Sequence, residues 1–264
     1  MTIISRRDFL RVGAVGLAGA GLVHKGASAE EQFTFAVIND THIKDAPSVE
    51  IVDEAVASIN SDERVQFTSV LGDVATDGKE DELALAKGAF DNLDKPYFVV
   101  PGNHDVFPQA TDIYANYVDA FGPVHWTRTE NDWTFIGMNS CEETKSDVTV
   151  SDEELAWLQA QLDKTTPQQP IALFCHHPMN PNTRAYRILN ADDVLALFAN
   201  HNLKIVAAGH WHGNQIEEQD GVLFVTTACC ATTRNNFDNT PEKGYRLFHL
   251  SGERVETEFV VVRA

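Results

Sequence analysis

The residues Phe33, Thr34, Phe35, Ala36, Val37 and Ile38 run directly into Asn39, Asp40, Thr41 and His42. Six β-prone, almost continuously apolar residues suit a strand buried on both faces. The polar residues at its carboxyl end are of the kinds that ligate metals or shape loops. The arrangement recurs downstream. A strand over 67–71 ends in Gly72 and Asp73. One over 97–100 is cut off by Pro101 and leads into Gly102, Asn103, His104 and Asp105. One over 171–175 leads into His176, His177 and Pro178, and one over 205–208 into Gly209, His210, Trp211 and His212. Six of the ten histidines fall in these five short segments, which scattered surface histidines would not do.

The intervening pattern orders these strands. Val49, Val52, Val56 and Ile59 repeat at helical spacing over 49–60, and a second helical pattern covers 80–93. The resulting β-α-β-α-β order predicts a parallel sheet with right-handed crossovers. In such a sheet the carboxyl ends of the strands share one edge, where ligands bind. Further on, a helix is expected over 112–121, then strands over 124–129 and 133–138 flanking Glu130, Asn131 and Asp132. Ser151 opens a helix with Glu154 placed for a capping box, striped by Leu155, Leu158 and Leu162. A helix over 192–200 and strands over 222–226, 245–250 and 255–262 complete the pattern. There is no internal repeat and no linker, so residues 30–264 read as one domain. Each polar segment alone has an ordinary explanation, since Gly-Asp and Gly-Asn mark turns and a single His-x-His is weak. Together, in order and each at a strand end, they read as one site.

At these residues the chain resembles the calcineurin-like metallophosphoesterases. The five-part signature of that family stands here as Asp40-x-His42, Gly72-Asp73, Gly102-Asn103-His104-Asp105, His176 and Gly209-His210-x-His212. The resemblance extends over about residues 33–250. His176-His177-Pro178 and the export signal described below are most similar to the bacterial cyclic-nucleotide phosphodiesterase-like branch. It implies an α/β fold: a four-layer α/β/β/α sandwich of two mixed sheets flanked by helices. It further implies two divalent or trivalent metal ions, of Fe, Mn or Zn. Asp40, His42 and His212 would complete one metal site, Asn103, His176 and His210 the other, with Asp73 between them. In the pair His176-His177 the family pattern selects His176 as ligand and leaves His177 as a supporting or substrate-side residue. A mixed Asp/His/Asn set suits borderline metals and not Ca²⁺ or a thiolate zinc site. The implied reaction is attack on a phosphate ester by a hydroxide held between the metals. His104 would donate a proton to the leaving alkoxide and Asp105 would orient or polarise His104. The alternatives are a phosphomonoesterase on the same site, or a catalytically idle metal- or phosphate-binding protein on the same fold.

The amino terminus reads as an export signal. Ser5, Arg6, Arg7, Asp8, Phe9, Leu10 and Arg11 precede an apolar Gly/Ala-rich run from Val12 to Val23, then Ala27, Ser28 and Ala29. This resembles a bacterial twin-arginine signal over residues 1–29. The apolar run is too short to span a bilayer as a helix; the other reading is an uncleaved amphipathic or anchoring helix. Cleavage after Ala29 implies the twin-arginine export machinery as a partner, a periplasmic or secreted product, and no stable membrane insertion afterwards. The whole chain carries a net charge of −19, and removing the basic signal leaves the mature chain more acidic still. Such a surface argues against a specific nucleic-acid partner. It also repels a dianionic monoester more than a monoanionic diester, so a small phosphate diester is the expected substrate. Arg184, Arg187 and Arg234 are candidates for steering phosphate. Cys175 reads as a buried strand residue. For Cys141, Cys229 and Cys230 both the reduced and the disulfide-bonded forms stay open.

Overall fold

The computed structural model describes residues 32–263; the segment read as an export signal lies outside them. Phe33–Ile38 forms β1, and Val65–Val70 (β2) and Tyr97–Val99 (β3) lie parallel beside it in that order. On its other side β1 pairs antiparallel with Lys243–Ser251 (β10), which pairs antiparallel with Arg254–Arg263 (β11). This makes one mixed five-stranded sheet. The second sheet has six strands: Trp126–Glu130 (β4), Trp133–Gly137 (β5), Pro170–Cys175 (β6), Asn202–Ala208 (β7), Gln215–Gln219 (β8) and Val222–Thr226 (β9). Its order is β4-β5-β6-β7-β9-β8, with β4 and β8 antiparallel at its two edges.

Period-two alternation explains the layering. Phe33, Phe35 and Val37 of β1 face a core shared with Phe135 of β5, Phe174 of β6, Ile205 of β7 and Phe248 of β10. Ala36 and Ile38 of the same strand face the other way, into a core with helices Ala46–Ser61 (α1), Glu80–Phe90 (α2) and Ala115–Phe121 (α3). In β6, Ile171, Leu173 and Cys175 likewise face away from the central core, toward Asp152–Leu162 (α4) and Ala191–Ala196 (α5). Three apolar layers therefore separate four layers of secondary structure, the α/β/β/α sandwich. The central layer is aromatic. Phe35 is fully buried, stacked against Phe248 at 4.9 Å and Phe67 at 5.1 Å, with Phe135 and Phe174 edge-on.

Several expected boundaries move for local reasons. α1 begins at Ala46 because Asp45 accepts from the Ser48 N–H and caps it, with Pro47 in the first turn. The helix expected over 192–200 stops at Ala196. Leu197, Phe198 and Ala199 instead donate three residues back, a tighter winding. α3 starts at Ala115, three residues later than expected, after a turn from Asp112. Ser151 caps α4 by accepting from the Glu154 N–H, but Glu154 does not return the bond. Its carboxyl accepts from the Asn139 N–H instead, and burial pushes it up to about 7. β8 was not expected: it is a polar edge strand whose single apolar residue, Ile216, is half exposed. All four cysteines are free. Among the described residues no helix is long and apolar enough to cross a membrane.

Because Phe35 joins both sheets, Phe35→Ala should cost about 3–5 kcal/mol, and Phe35→Leu markedly less. Urea unfolding followed by circular dichroism measures both; an alanine variant within 1 kcal/mol of the parent would contradict this account of the central layer.

Candidate metal centre

The five segments meet at one edge, where the carboxyl ends of β1, β2 and β3 from the first sheet face those of β6 and β7 from the second. They are stitched by backbone. The N–H groups of Asp40, His42 and Ile43 donate to the carbonyls of Gly72, Asp73 and Val74, so the first loop lies alongside the second. The Gly209 N–H donates to the His176 carbonyl. Among the bonds that cross between the sheets, the His210 N–H donates to Asp40 Oδ2 at 2.9 Å, and His176 Nδ1 donates to the Leu71 carbonyl at 2.7 Å.

Asp40, His42, Asp73, His210 and His212 all hold positive φ, between 25° and 61°. Residues with side chains seldom occupy this region, and when they do they cluster at functional sites. The conformation aims successive side chains inward from tight loops. Two glycines permit the crowding. A Cβ on Gly102 would sit 2.1 Å from Asp73 Oδ1 and 2.2 Å from its N, and one on Gly72, at φ +82°, would sit 2.5 Å from the Gly102 N.

The side chains converge in two groups. In one, the ligand atoms of Asp40, His42, Asp73 and His212 all lie within 4.8 Å of one another. His42 Nε2 is 3.4 Å from His212 Nε2 and 3.6 Å from Asp73 Oδ2, and His212 Nε2 is 3.1 Å from Asp40 Oδ1. In the other, His176 Nε2 is 3.0 Å from His210 Nδ1, 3.2 Å from Asn103 Oδ1 and 3.3 Å from Asp73 Oδ1. Asp73 thus turns one carboxylate oxygen toward each group. Gaps of 3–4 Å between donors are those expected around a cation held at about 2.0–2.2 Å.

In three of the four candidate ligand histidines the other ring nitrogen fits the same use, while His42 Nδ1 is buried without a partner among the described residues. His176 Nδ1 faces the Leu71 carbonyl, His210 Nε2 the Ser146 carbonyl at 3.0 Å and His212 Nδ1 the Asn235 carbonyl at 3.2 Å. Each carbonyl selects the tautomer that leaves the inward nitrogen with a lone pair, the usual support of a metal-binding histidine. Asp40 Oδ1 is buried with no hydrogen-bond partner, while Oδ2 accepts from Asn39 Nδ2 and the His210 N–H. A bare buried carboxylate oxygen amid imidazoles is a donor set that a cation satisfies. The electrostatics agree. Burial alone would lower the histidines, and it takes His42 down to about 3. Yet the Asp73 carboxylate overrides burial at His176, pushing it up to about 9, and Asp40 pushes His212 up to about 11. The two carboxylates draw positive charge to the centre of both groups.

Asp105 and His177 are both held by bonds within the protein. Asp105 is fully buried and forms no hydrogen bond to His104. Its oxygens accept from the Ala75 N–H at 2.9 Å and the Gly102 N–H at 2.8 Å, clamping the second loop to the third. Burial and the nearby Asp73 charge push its carboxyl up to about 7. The group that orients His104 is the Thr76 carbonyl, 2.7 Å from Nδ1, which no motif marks. His177 lies in the second group, but both its nitrogens have protein partners, Ser140 Oγ at 2.9 Å and the Lys145 carbonyl at 3.3 Å. It is fully buried.

A cleft of about 370 Å³ opens over both groups, bounded further by His104, Tyr186, Arg234 and Phe237. Of the three candidate arginines only Arg234 lines it. His104 and Asn103 also border a second cleft of about 440 Å³, with Thr76, Lys79 and Phe107. Sequence reasoning did not single out Tyr186 or Phe237, aromatics in irregular loops with no periodic signal.

A family model described as calcineurin-like phosphoesterase matches residues 33–214. The chain belongs to that family. By that membership it is a metal-dependent phosphoric ester hydrolase. A probable glycerophosphodiester phosphodiesterase, GpdQ, of Arcobacter nitrofigilis is 34% identical over 109 residues, 40% of this chain and 40% of that one. A probable cyclic nucleotide phosphodiesterase of Coxiella burnetii is 24% identical over 202 residues, 74% of this chain and 81% of the relative. Among solved structures, a purple acid phosphatase from yellow lupin seeds superposes with a TM-score of 0.63 at 11% identity, covering 88% of this chain and 52% of that one. GAP50 of Plasmodium superposes with 0.61 at 15% identity, covering 88% and 85%. These two likenesses concern the fold alone.

Gly102→Ala should leave a folded protein whose metal affinity falls about 10- to 100-fold, because the new Cβ displaces Asp73. Metal titration alongside far-UV circular dichroism tests this; unchanged affinity would contradict the close packing of Gly102 on Asp73.

Proposed function

We propose that this protein is an exported phosphodiesterase that works with two metal ions and acts on small phosphate diesters. The observation that carries the reading is Asp73, buried between two groups of donors with one oxygen toward each. Asp40, His42 and His212 would hold one cation beside it, and Asn103, His176 and His210 the other. Fe, Mn or Zn would suit the mixed donors. Bound there, the ions would neutralise charge on the phosphoryl oxygens and activate water for attack. The protein's own part is to hold and protonate the ester. His104 Nδ1–H donates to the Thr76 carbonyl, which fixes the ring and leaves Nε2 for the clefts it borders. In the imidazolium form, which carries a proton on each nitrogen, Nε2 would give its proton to the departing alkoxide and leave the ring neutral, with Nδ1–H still on the Thr76 carbonyl. The His104 N–H donates to Asp73 Oδ1 at 2.8 Å, so the proton donor and the shared ligand keep a set spacing.

The preference for diesters rests on charge and kinship. The chain is strongly acidic, and among the described residues Arg234 is the one arginine lining the metal cleft, so a second negative charge on the phosphate is poorly met. The relatives named above act, by their names, on diesters. With the same metal and pH, kcat/KM for bis(p-nitrophenyl) phosphate should exceed that for p-nitrophenyl phosphate; a clear preference for the monoester would make this a phosphatase. His104→Ala should retain metal and lose about 10²- to 10⁴-fold in kcat on alkyl esters, with a smaller loss on nitrophenyl esters, whose leaving group needs no proton. Equal losses on both would remove His104 from the role of general acid.

Export rests on the arginine pair, the short apolar run and the small residues before Glu30. Arg6→Lys combined with Arg7→Lys should trap precursor in the cytoplasm, and the exported protein should begin at Glu30. Intact mass of periplasmic material decides it; retention of Met1 there would overturn the signal reading.

A further inference from the structure

Arg246 of β10 is only 2% exposed, yet its hydrogen-bond partners among the described residues are all neutral. Its Nε donates to Thr227 Oγ1 at 3.1 Å, Nη2 to Asn214 Oδ1 at 2.8 Å and Nη1 to Thr257 Oγ1 at 3.4 Å. The guanidinium also stands over the Phe259 ring, 5.9 Å from its centre. Burial takes it down to about 10, so it stays cationic at neutral pH. An arginine is seldom buried without a carboxylate beside it. For folding alone, an apolar side chain of similar volume would serve as well or better.

The three arms of the guanidinium have different destinations. Arg246 lies opposite Val37 of β1 in the first sheet. Nη1 stays in that sheet, on the Thr257 hydroxyl, which itself donates to the Leu247 carbonyl at 2.7 Å. The other two arms cross to the second sheet, to Thr227 directly after β9 and Asn214 directly before β8. From there each path reaches a metal-ligand candidate in a short step. The Thr227 carbonyl accepts from Asn39 Nδ2 at 3.0 Å, and the same nitrogen donates to Asp40 Oδ2 at 2.5 Å. Asn214 follows His212 by two residues. Its Oδ1 also accepts from the Ala228 N–H at 3.3 Å, and its N–H donates to Asp238 Oδ2 at 2.8 Å. Between them, the Gly213 carbonyl accepts from the Thr226 hydroxyl at 2.9 Å.

We propose that Arg246 is a positioning residue for the metal centre: its planar fork fixes Thr227 and Asn214, and through them sets Asp40 and His212 as two ligands of the same cation. This rests on the reading of Asp40, His42 and His212 as one of two metal sites. A fork is needed because two points on the second sheet must be held at once from one side chain of the first. Lysine would keep the charge but offers a single point in its place. The side chains of the other donor group are held elsewhere. Asn103, His176 and His210 face the Thr144, Leu71 and Ser146 carbonyls. Loss of the fork should therefore fall on one site and spare the other, which a general loss of stability would not do.

The test is calorimetric titration of the metal-free protein with Co²⁺, which accepts mixed nitrogen and oxygen donors. The parent should take up two equivalents. Arg246→Lys should take up one with parental affinity and the other with affinity lowered about 10- to 100-fold. Thr227→Val removes the hydroxyl that Nε meets and leaves the carbonyl to Asn39. It should weaken the same equivalent and add little to Arg246→Lys in the double variant, because the two act in one chain. Asp40→Asn identifies which equivalent that is. Far-UV circular dichroism checks folding; should Arg246→Lys fail to fold, Thr227→Val carries the comparison. Both equivalents unchanged, or both weakened alike, in folded variants would overturn the positioning role while leaving the metal centre standing. A parent that takes up a single equivalent, or an Asp40→Asn protein that binds like the parent, would overturn the ligand reading and the proposal with it.

Discussion

Two carboxylates, Asp40 and Asp73, are buried where the sheets meet, and their ion-pair partners among the described residues are histidines alone. Much of the surrounding structure answers to that constraint. Unpaired charge inside a protein is costly unless it is matched by opposite charge and hydrogen bonds. Here the match is split. One oxygen of Asp40 is satisfied by Asn39 and the His210 N–H, and the other is left bare toward the imidazoles. Asp73 Oδ1 takes the His104 N–H while its two oxygens reach different histidines. The protein supplies enough partners to keep both groups ionised, and the same oxygens and ring nitrogens form a donor set that suits a cation.

Holding these groups has a structural cost elsewhere. Five of the residues that form the two groups sit in the left-handed region, where each non-glycine residue costs about 1–3 kcal/mol. Such strain persists only if the frame over-determines it. The frame is the aromatic layer between the sheets, with Phe35 at its centre, and the backbone ties running from loop to loop. Asp105 is part of this frame: its carboxyl joins Ala75 and Gly102, so the loops carrying Asp73 and Asn103 are tied together.

What the sequence made legible follows from period and position. The apolar runs ending in Asp, Asn or His located the strand ends, and the alternation of β1 separates the two cores it faces. The seven ligand candidates come together because strand ends in a sandwich share an edge. Other features had no such signal. β8 is polar and lies at a sheet edge, where pairing needs no apolar face. The orientation of His104 comes from a backbone carbonyl, which every residue has and no motif can mark. Glu154 fits a capping box by spacing, yet tertiary structure offers the Asn139 N–H and the side chain goes there. Tyr186 and Phe237 lie 51 positions apart in irregular loops and acquire meaning only once folded against His210 and His212.

The donor set also bears on which ester fits best. Two carboxylates, four neutral imidazoles and one amide would bring two negative charges to a pair of cations, leaving the loaded centre positive. That positive charge is local, and the rest of this acidic chain opposes it at longer range. A phosphate diester presents one negative charge to the centre and two substituents to its surroundings. On the reading proposed above, one substituent would leave past His104 and the other would stay in the cleft that Tyr186 and Phe237 also line. A monoester would bring more charge, with a single substituent to fill either the leaving side or the aromatic side. Two cations so placed in an acidic chain would therefore favour a phosphate with two arms over one with a second negative charge.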